Sequence, residues 1–243
     1  MIRMKLRFHD YRYAGSVLDH SSFGTAKAEI VDILQKTSVP LLDPSSLDPN
    51  KGGVKRRRRS PLAGDTRYRY FFLPVDQKKL NGLLDSAFRA AGWTPQPLIV
   101  DPARSAGPAT KLRGDFKKGR LEVEIQFGNM ARWYTDVFKF QLSYSLDSID
   151  AAVLVVATQH FANLIDENVA YYERVCRELP WAKMSLTLPI WVIGVEPEDY
   201  QAIRECYDKA AARWVEDQGP DRVVPISFTE RIAEEPRDEE PNT

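Results

Sequence analysis

The chain has 243 residues, 43% of them hydrophobic and 28% charged, proportions that are typical of a globular protein and exclude a fibrous or disordered one. Its longest apolar run, residues 151–157, is too short for a membrane helix, and its N-terminus lacks the pattern of a secretory signal. The two cysteines favour a reducing cytoplasm over a disulfide framework.

The formal net charge is zero, with 34 Lys and Arg against 34 Asp and Glu, which excludes a uniformly basic nucleic-acid-binding protein. The charges are nevertheless divided between the two halves of the chain. Residues 1–120 contain 23 basic and 11 acidic side chains, whereas residues 121–243 contain 11 and 23. Such asymmetry favours nucleic acid as a partner, and the alternative is an acidic tail that merely balances a basic loop.

Hydrophobic periodicity predicts the elements of the first half of the chain. In order, they are a strand at 4–8, a helix at 26–34 capped by Ser21 or Ser22, a long loop at 39–66, an aromatic stretch at 68–72, a helix at 76–91 and a short strand at 98–100. The loop contains four prolines and the run Lys55-Arg56-Arg57-Arg58-Arg59. A loop of that length is uncommon in a compact domain unless it is functional or disordered.

The second half has a clearer pattern. In order, it predicts a half-buried strand at 121–127, a helix at 130–144 with Tyr134 and Phe138 on its apolar stripe, a fully buried strand at 151–157, a helix at 169–179, a second buried strand at 190–195 and a helix at 200–214. Trp133, Trp181, Trp191 and Trp214 fall on apolar stripes and are predicted to be core residues. The fold class is therefore α/β, a single domain over residues 1–233 with helices on both faces of a mixed sheet, followed by a disordered acidic tail at 234–243.

Several common catalytic signatures are absent from the sequence. It contains no phosphate-binding Gly-x-x-x-x-Gly-Lys-Ser/Thr loop, no Gly-x-Gly-x-x-Gly, no Cys-x-x-Cys and no Gly-x-Ser-x-Gly. His9, His20 and His160 lie beside no persuasive nucleophile, which argues against a catalytic triad. We interpret His160, at the start of a helix, as structural.

One group of residues suggests a metal site. Asp115 precedes a turn at Gly119, and the period of two places Glu124 and Gln126 on one face of the following strand. A tight hairpin would bring the Asp115 carboxylate beside Glu124. Two carboxylates and a backbone carbonyl form an all-oxygen site that suits Mg²⁺ better than Zn²⁺. The alternative is a solvated strand face, on which Glu and Gln are common.

Asp115, followed after eight residues by Glu124-x-Gln126, resembles the motif of the PD-(D/E)XK nucleases, with Gly114 in place of its leading Pro and Gln126 in place of its Lys. The segment 123–129, Val-Glu-Ile-Gln-Phe-Gly-Asn, resembles the BglII and BstYI type II restriction endonucleases, which carry Glu-Val-Gln-Phe there. The resemblance continues through Ser-Ile-Asp at 148–150 and Val-Ala-Tyr-Tyr-Glu at 169–173. It covers about residues 112–197, which would form the catalytic core, and the N-terminal third matches only in rough element order.

The resemblance implies a homodimer that uses Mg²⁺ to cut both strands of a short palindrome in double-stranded DNA, leaving 5′-phosphate and 3′-hydroxyl ends. Asp115 and Glu124 would hold the metal, the carbonyl of Ile125 would join them, and Gln126 would help to orient the attacking water. Gln can neither act as a general base nor carry positive charge, so the metal must activate the water. The implied setting is a prokaryotic cytoplasm, without membrane association, in which a cognate DNA methyltransferase protects the host DNA.

Candidate DNA contacts fall into two groups. Asn129 is predicted to begin the helix after the catalytic strand and lies where relatives contact bases. Asp166-Glu167-Asn168 stands where they carry small residues that approach bases. Relatives cut sites built on a central GATC, and the acidic residues at 166 and 167 depart from them, so the recognition site stays open. Asp166 has the alternative role of a helix cap. We interpret Lys55 and Arg56, Arg57, Arg58 and Arg59 as a phosphate-contacting arm, with a solvated loop as the alternative. Further candidates for phosphate contact are Arg67, Arg69, Lys111, Arg113, Lys117 and Lys118.

Three other functions stay open from the sequence. A nuclease for repair or for modified DNA would share Asp115 and Glu124. A DNA-binding module with an inactive site is disfavoured because the motif residues are present. A small-molecule α/β enzyme is disfavoured because neither a cofactor loop nor a triad occurs.

Overall fold

The computed structural model describes residues 1–44, 54–57, 67–100 and 111–234. In chain order the described strands are β1 (Met4–Tyr11), β2 (Val54–Arg57), β3 (Tyr68–Phe72), β4 (Thr94–Pro95), β5 (Phe116–Lys118), β6 (Leu121–Gln126), β7 (Ala151–Ala157), β8 (Ile190–Pro197) and β9 (Val223–Pro225). The described α-helices are α1 (Ala14–Leu18), α2 (Ala26–Lys36), α3 (Gln77–Ala90), α4 (Arg132–Ser145), α5 (Gln159–Ile165), α6 (Tyr172–Glu178), α7 (Gln201–Gln218) and α8 (Phe228–Ala233). None of the helices in these ranges is both long and apolar enough to span a bilayer.

A mixed sheet of six strands, in the order β1-β8-β7-β6-β5-β4, forms the centre of the molecule. Strands β6, β7 and β8 are parallel to one another, whereas β1, β5 and β4 are each antiparallel to their neighbours. A second sheet, in the order β2-β3-β9, packs beside α7. The predicted α/β architecture with helices flanking a mixed sheet is confirmed.

The apolar strands β7 and β8 are buried on both faces, as their uninterrupted hydrophobic sequences predict. One face of β7, which includes Val153 and Val155, packs into a core built with α2, α3, α5 and α7. The opposite face, which includes Leu154 and Val156, packs against α4 and α6. The strand register pairs Glu124 with Leu154. The polar residues of β6 therefore face α4, within the helical layer and not in solvent.

The structure corrects several sequence-based expectations. Strand β6 is not half-buried, because both its faces are covered, and Glu122 and Glu124 are 1% and 2% exposed. The interval 39–66 is not wholly irregular, since β2 lies within it and pairs with β3. Leu98 makes only an isolated bridge, to Arg113, and no strand. Sequence periodicity identified these segments but does not show which neighbour covers each face.

The apolar stripe of α4 is rotated from the predicted one. Trp133, Val137 and Phe140 are buried, whereas Tyr134 and Phe138 are exposed. Of the four tryptophans predicted to be core residues, three are confirmed, and Trp181 is wrong because it is 78% exposed. Phe138 and Trp181 are therefore exposed aromatic side chains of this helical layer.

Candidate active site

A hairpin brings the two motif carboxylates together. Gly119 adopts φ +57°, a left-handed conformation that glycine accepts without strain, and it connects β5 to β6. Phe116 pairs with Val123, so Asp115, one residue earlier, stands opposite Glu124. Asp115 Oδ2 accepts a hydrogen bond of 2.8 Å from the backbone N–H of Ile125. The structure thus places Asp115 beside Glu124, as the spacing predicted.

Helix α4 adds two charged residues that the sequence analysis did not identify. Lys139 Nζ lies 2.7 Å from Glu124 Oε1 and 2.8 Å from Asp136 Oδ1. It also donates a hydrogen bond of 3.3 Å to the backbone carbonyl of Arg113. Glu124 Oε1 is inaccessible to solvent, and Lys139 Nζ is the charged group that faces it.

Gln126 is held at both ends of its side-chain amide. Its Nε2 donates to Asp136 Oδ2 at 2.8 Å, and its Oε1 accepts from the backbone N–H of Gly128 at 2.9 Å. A side-chain amide has two donor hydrogens and two acceptor lone pairs, so Gln126 retains one of each. The remaining N–H and lone pair allow Gln126 to contact a water without leaving its place.

Burial and mutual repulsion alter the protonation of the two motif carboxylates. Burial, followed by the charges of Asp115 and Asp136, raises the pKa of Glu124 to about 9, although Lys139 opposes the shift. Burial also raises the pKa of Asp115 above its ordinary value, against the hydrogen bond from Ile125. Burial alone would lower the pKa of Lys139, but the charges of Glu124 and Asp136 reverse that effect and raise it. The metal-free site therefore contains more carboxylate than its single ammonium can neutralise.

These residues open into a cavity of about 410 Å³. It is lined by Gln77, Asn81, Asp115, Glu124, Ile125, Gln126, Phe127, Gly128, Arg132, Thr135, Asp136 and Lys139. The side chain of Gln77, at the start of α3, donates to the carbonyl of Phe127, so α3 closes one side. A larger cavity of about 820 Å³ lies beside α2 and contains none of the motif residues, so size does not identify the site.

A family model described as restriction endonuclease BglII/BglIII matches residues 6–195. The chain belongs to this family. It is therefore a type II site-specific deoxyribonuclease. No curated protein sequence matches the chain.

Two solved structures of BglII are similar to the chain. Free BglII has a TM-score of 0.52 and 18% sequence identity, over 81% of this chain and 81% of that chain. BglII complexed with a DNA 16-mer has a TM-score of 0.48 and 19% identity, over 78% of this chain and 75% of that chain. At this identity, the likeness to free BglII shows a common fold for the restriction endonuclease and the present chain.

In this restriction endonuclease, the residues predicted to read bases lie close to one another. Asn129 forms a bridge with Val169, and the backbone N–H of Met130 donates to the carbonyl of Asn168 at 2.9 Å. Asn129 was predicted to begin the helix, and this prediction is wrong. Its Oδ1 instead accepts from the backbone N–H of Ala131 at 2.8 Å, and α4 starts at Arg132.

Asp166 follows the last residue of α5, so it stands at a helix C-terminus and not at an N-cap. Its Oδ1 accepts a hydrogen bond of 2.8 Å from the backbone N–H of the exposed residue Glu167. Lys55 Nζ, at the start of the basic run, lies 3.6 Å from the same oxygen. The described part of the basic run therefore approaches the segment 166–168.

The other basic candidates do not converge on the cavity. Lys118 Nζ lies 2.6 Å from Glu29, and Lys117 contacts Ser148 and Glu122. Arg113 donates to the carbonyl of Gln96 at 2.7 Å, Arg69 pairs with Glu230 at 2.7 Å, and Lys111 is exposed. Arg58, Arg59 and the acidic tail from residue 235 lie outside the described residues, as do the side chains of Arg56 and Arg57.

Asp136 and Lys139 were missed because they are polar residues on a helix whose apolar stripe was assigned the wrong orientation. A helical wheel centred on Trp133, Val137 and Phe140 places Asp136 at the edge of the apolar face and Lys139 one step further round, and both are buried. The signal available in the sequence was an acid and a base three residues apart on this helix, a spacing that allows them to form an ion pair.

The donor atoms fit a hard divalent cation. Asp115 and Glu124 supply carboxylate oxygens at adjacent backbone positions, and burial, followed by the charges of Asp115 and Asp136, raises the pKa of Glu124. Among the residues that the structure describes, no set of three or more His, Cys, Asp or Glu side chains is arranged to bind a metal. The site would therefore depend on two carboxylates and the carbonyl of Ile125.

The raised pKa of Glu124 predicts how the stability of the metal-free protein depends on pH. Between the ordinary pKa of 4.5 and the folded value of about 9, the folded protein retains a proton that the unfolded chain releases. Stability should therefore fall as the pH rises through this window. Glu124→Gln removes this titrating group. In thermal unfolding in EDTA, the melting temperature of Glu124→Gln minus that of the wild type should therefore increase by a few °C from about pH 5 to about pH 9. A difference that is constant over the window, or a similar trend for the exposed control Glu167→Gln, would contradict this assignment.

Proposed function

We propose that the protein is a Mg²⁺-dependent restriction endonuclease of the PD-(D/E)XK type, whose elements form one endonuclease domain. It cleaves both strands of a short palindromic site and leaves 5′-phosphate and 3′-hydroxyl ends. The observation that carries the proposal is the convergence of Asp115, Glu124 and Gln126 in one cavity of a BglII-family chain.

Each residue of the site has a distinct role in this proposal. Asp115, Glu124 and the carbonyl of Ile125 would hold the cation, which would activate water and neutralise charge that develops on the phosphate. The hydrogen bond from Ile125 N–H to Oδ2 fixes the Asp115 carboxylate. Gln126 uses its remaining N–H or lone pair to orient water, and Asp136 and Gly128 keep its amide in place.

Isosteric substitutions test the assignment of the carboxylates. Mutation of a residue that only supports a metal ligand lowers metal affinity or activity by about 10- to 100-fold. Replacement of the ligand itself should cost more, so Asp115→Asn or Glu124→Gln should reduce plasmid cleavage in Mg²⁺ by more than about 100-fold. Glu122→Gln is the matched control, because Glu122 is equally buried on the same face of β6 but bonds to Ser143. It should retain cleavage, and thermal unfolding verifies that all three variants fold.

Full cleavage by Asp115→Asn or Glu124→Gln would refute the proposed site. Cleavage of methylated or damaged DNA alone would favour the modification-dependent nuclease instead. Cleavage of unmethylated DNA, with protection by a site-specific methyltransferase, would support a restriction-modification system in a prokaryotic cytoplasm.

We propose that Asn129 and the segment 166–168 read bases and that two copies of the chain form the active dimer. The base-reading role is supported by the bridge between Asn129 and Val169, and by the position of Asn129 next in sequence to Gly128, which lines the cavity. A dimer is supported by the exposed aromatic residues of α4, Tyr134 and Phe138. Their helix is joined to the segment carrying exposed Trp181 by a hydrogen bond from Tyr134 to Glu178.

Sequencing the ends produced from a random-sequence library tests both statements. The wild type should select a palindromic consensus, because a symmetric dimer presents the same contacts to two half-sites. Asn129→Ala should relax selection at one symmetric pair of positions, since a base contact is worth about 1–3 kcal/mol. A consensus without two-fold symmetry would count against the dimer, and an unchanged consensus would exclude Asn129 as a base reader. A consensus that lacks GATC would show that the site has diverged from that of relatives.

We propose that Lys55 and the arginines at 56–59 contact DNA phosphates, which is supported by the position of Lys55 beside Asp166. Each lost phosphate contact should reduce the slope of log affinity against log salt by about 0.9. Replacing all five residues with Ala should therefore flatten the slope, measured by fluorescence anisotropy in Ca²⁺. Lys36→Ala, which removes an exposed lysine paired with Asp32, is the control and should leave it unchanged. An unchanged slope in the fivefold variant would exclude the arm from DNA binding.

A further inference from the structure

The ammonium of a lysine lies among the carboxylates of the site. Lys139 Nζ has three acceptors around it, at 2.7 Å from Glu124, 2.8 Å from Asp136 and 3.3 Å from the carbonyl of Arg113. Its side chain is 10% exposed, and those of Glu124 and Asp136 are 3% and 7% exposed. A lysine with this degree of burial requires charge partners, and these acceptors provide them.

The contact between Lys139 and Glu124 conflicts with a divalent ion at the same carboxylate. The oxygen of Glu124 that faces Lys139 is Oε1, which is inaccessible to solvent and has Lys139 Nζ at 2.7 Å. An ammonium 2.7 Å from this oxygen repels any cation that approaches Glu124. The carboxylates of Asp115, Glu124 and Asp136, when ionised, outnumber the ammonium by two negative charges, which is the charge of one divalent ion.

We propose that Lys139 is a positioning residue that acts as an internal counter-cation: it holds Glu124 in the metal-free protein and releases it when a divalent ion binds. The inference rests on the proposed role of Glu124 as a metal ligand. It assigns Lys139 a second function, because competition between its ammonium and the ion for one carboxylate sets the affinity of the site for metal.

Asp136 is what keeps Lys139 in the site after Glu124 is released. It uses its two carboxylate oxygens separately, since Oδ1 contacts Lys139 and Oδ2 accepts from Gln126. The Lys139–Asp136 pair is one turn of a single helix apart, so it does not depend on the position of β6. Lys139 therefore changes partners within the site and needs no rearrangement of the backbone.

Calcium binding to the full chain without DNA, measured by isothermal titration calorimetry, tests this role independently of catalysis. Lys139→Met removes the competing charge and should bind Ca²⁺ at least about tenfold more tightly than the wild type. The Coulomb repulsion between the ammonium and a divalent ion a few ångströms away is larger than the free energy that corresponds to a tenfold change in affinity. Saturating Ca²⁺ should also raise the melting temperature of Lys139→Met by more than it raises that of the wild type. If Lys139→Met does not fold, Lys139→Gln, which keeps hydrogen-bond donors but no charge, should bind more tightly in the same way.

Lys117→Met is the matched control. Lys117 contacts Glu122 at 3.9 Å, on the same face of β6 but two residues from Glu124, so its loss should change the affinity by a smaller factor. Glu124→Gln should abolish the binding and so locate the ion. Unchanged or weaker binding by Lys139→Met, or binding that survives Glu124→Gln, would overturn the inference. The proposed nuclease function is judged separately by cleavage in Mg²⁺: tighter Ca²⁺ binding by Lys139→Met without any wild-type cleavage would refute the function and leave the role of Lys139 intact.

Discussion

The polar contact between one face of β6 and one face of α4 is the interaction on which the site depends. Alternate residues of the strand meet polar residues of the helix, and the pairs are Gln126 with Asp136, Glu124 with Lys139, and Glu122 with Ser143. Charged groups at this depth are tolerated only where each has a partner, since an unpaired charge in the interior is strongly unfavourable. The helix therefore holds the carboxylates that the strand carries.

The neighbouring strands show why this contact can exist. On the same face of the sheet, Leu154 and Val156 of β7 pack against Val137 and Phe140 of α4, so one helix has both an apolar and a polar contact surface. The apolar part anchors α4, and the polar part then fixes Asp136 and Lys139 over Glu124. Burial, followed by the charges of Asp115 and Asp136, disfavours the ionised form of Glu124, and a bound cation would favour it.

Much of the site could be predicted because its determinants are local. The separation of Asp115 from Glu124 across Gly119 requires a short hairpin, and the period of two places Glu124 and Gln126 on one face. The expectation of a half-buried β6 was wrong. Periodicity shows that the two faces of a strand differ in polarity, but it does not show whether another element covers the polar face. The rotated stripe of α4 has the same origin, since aromatic side chains at Phe138 suggest burial whether or not the chain itself covers them.

The sequence by itself determined the α/β order of elements, the two fully buried strands and the Asp115–Glu124–Gln126 constellation, because these follow from hydrophobic runs and short-range geometry. Only the tertiary structure placed Lys139 against Glu124 and the segment 166–168 beside Asn129. These contacts join elements that are apart in sequence, and their geometry depends on how α4 is rotated over the sheet. That rotation is set by packing against β7 and α6, which no local pattern in the chain specifies.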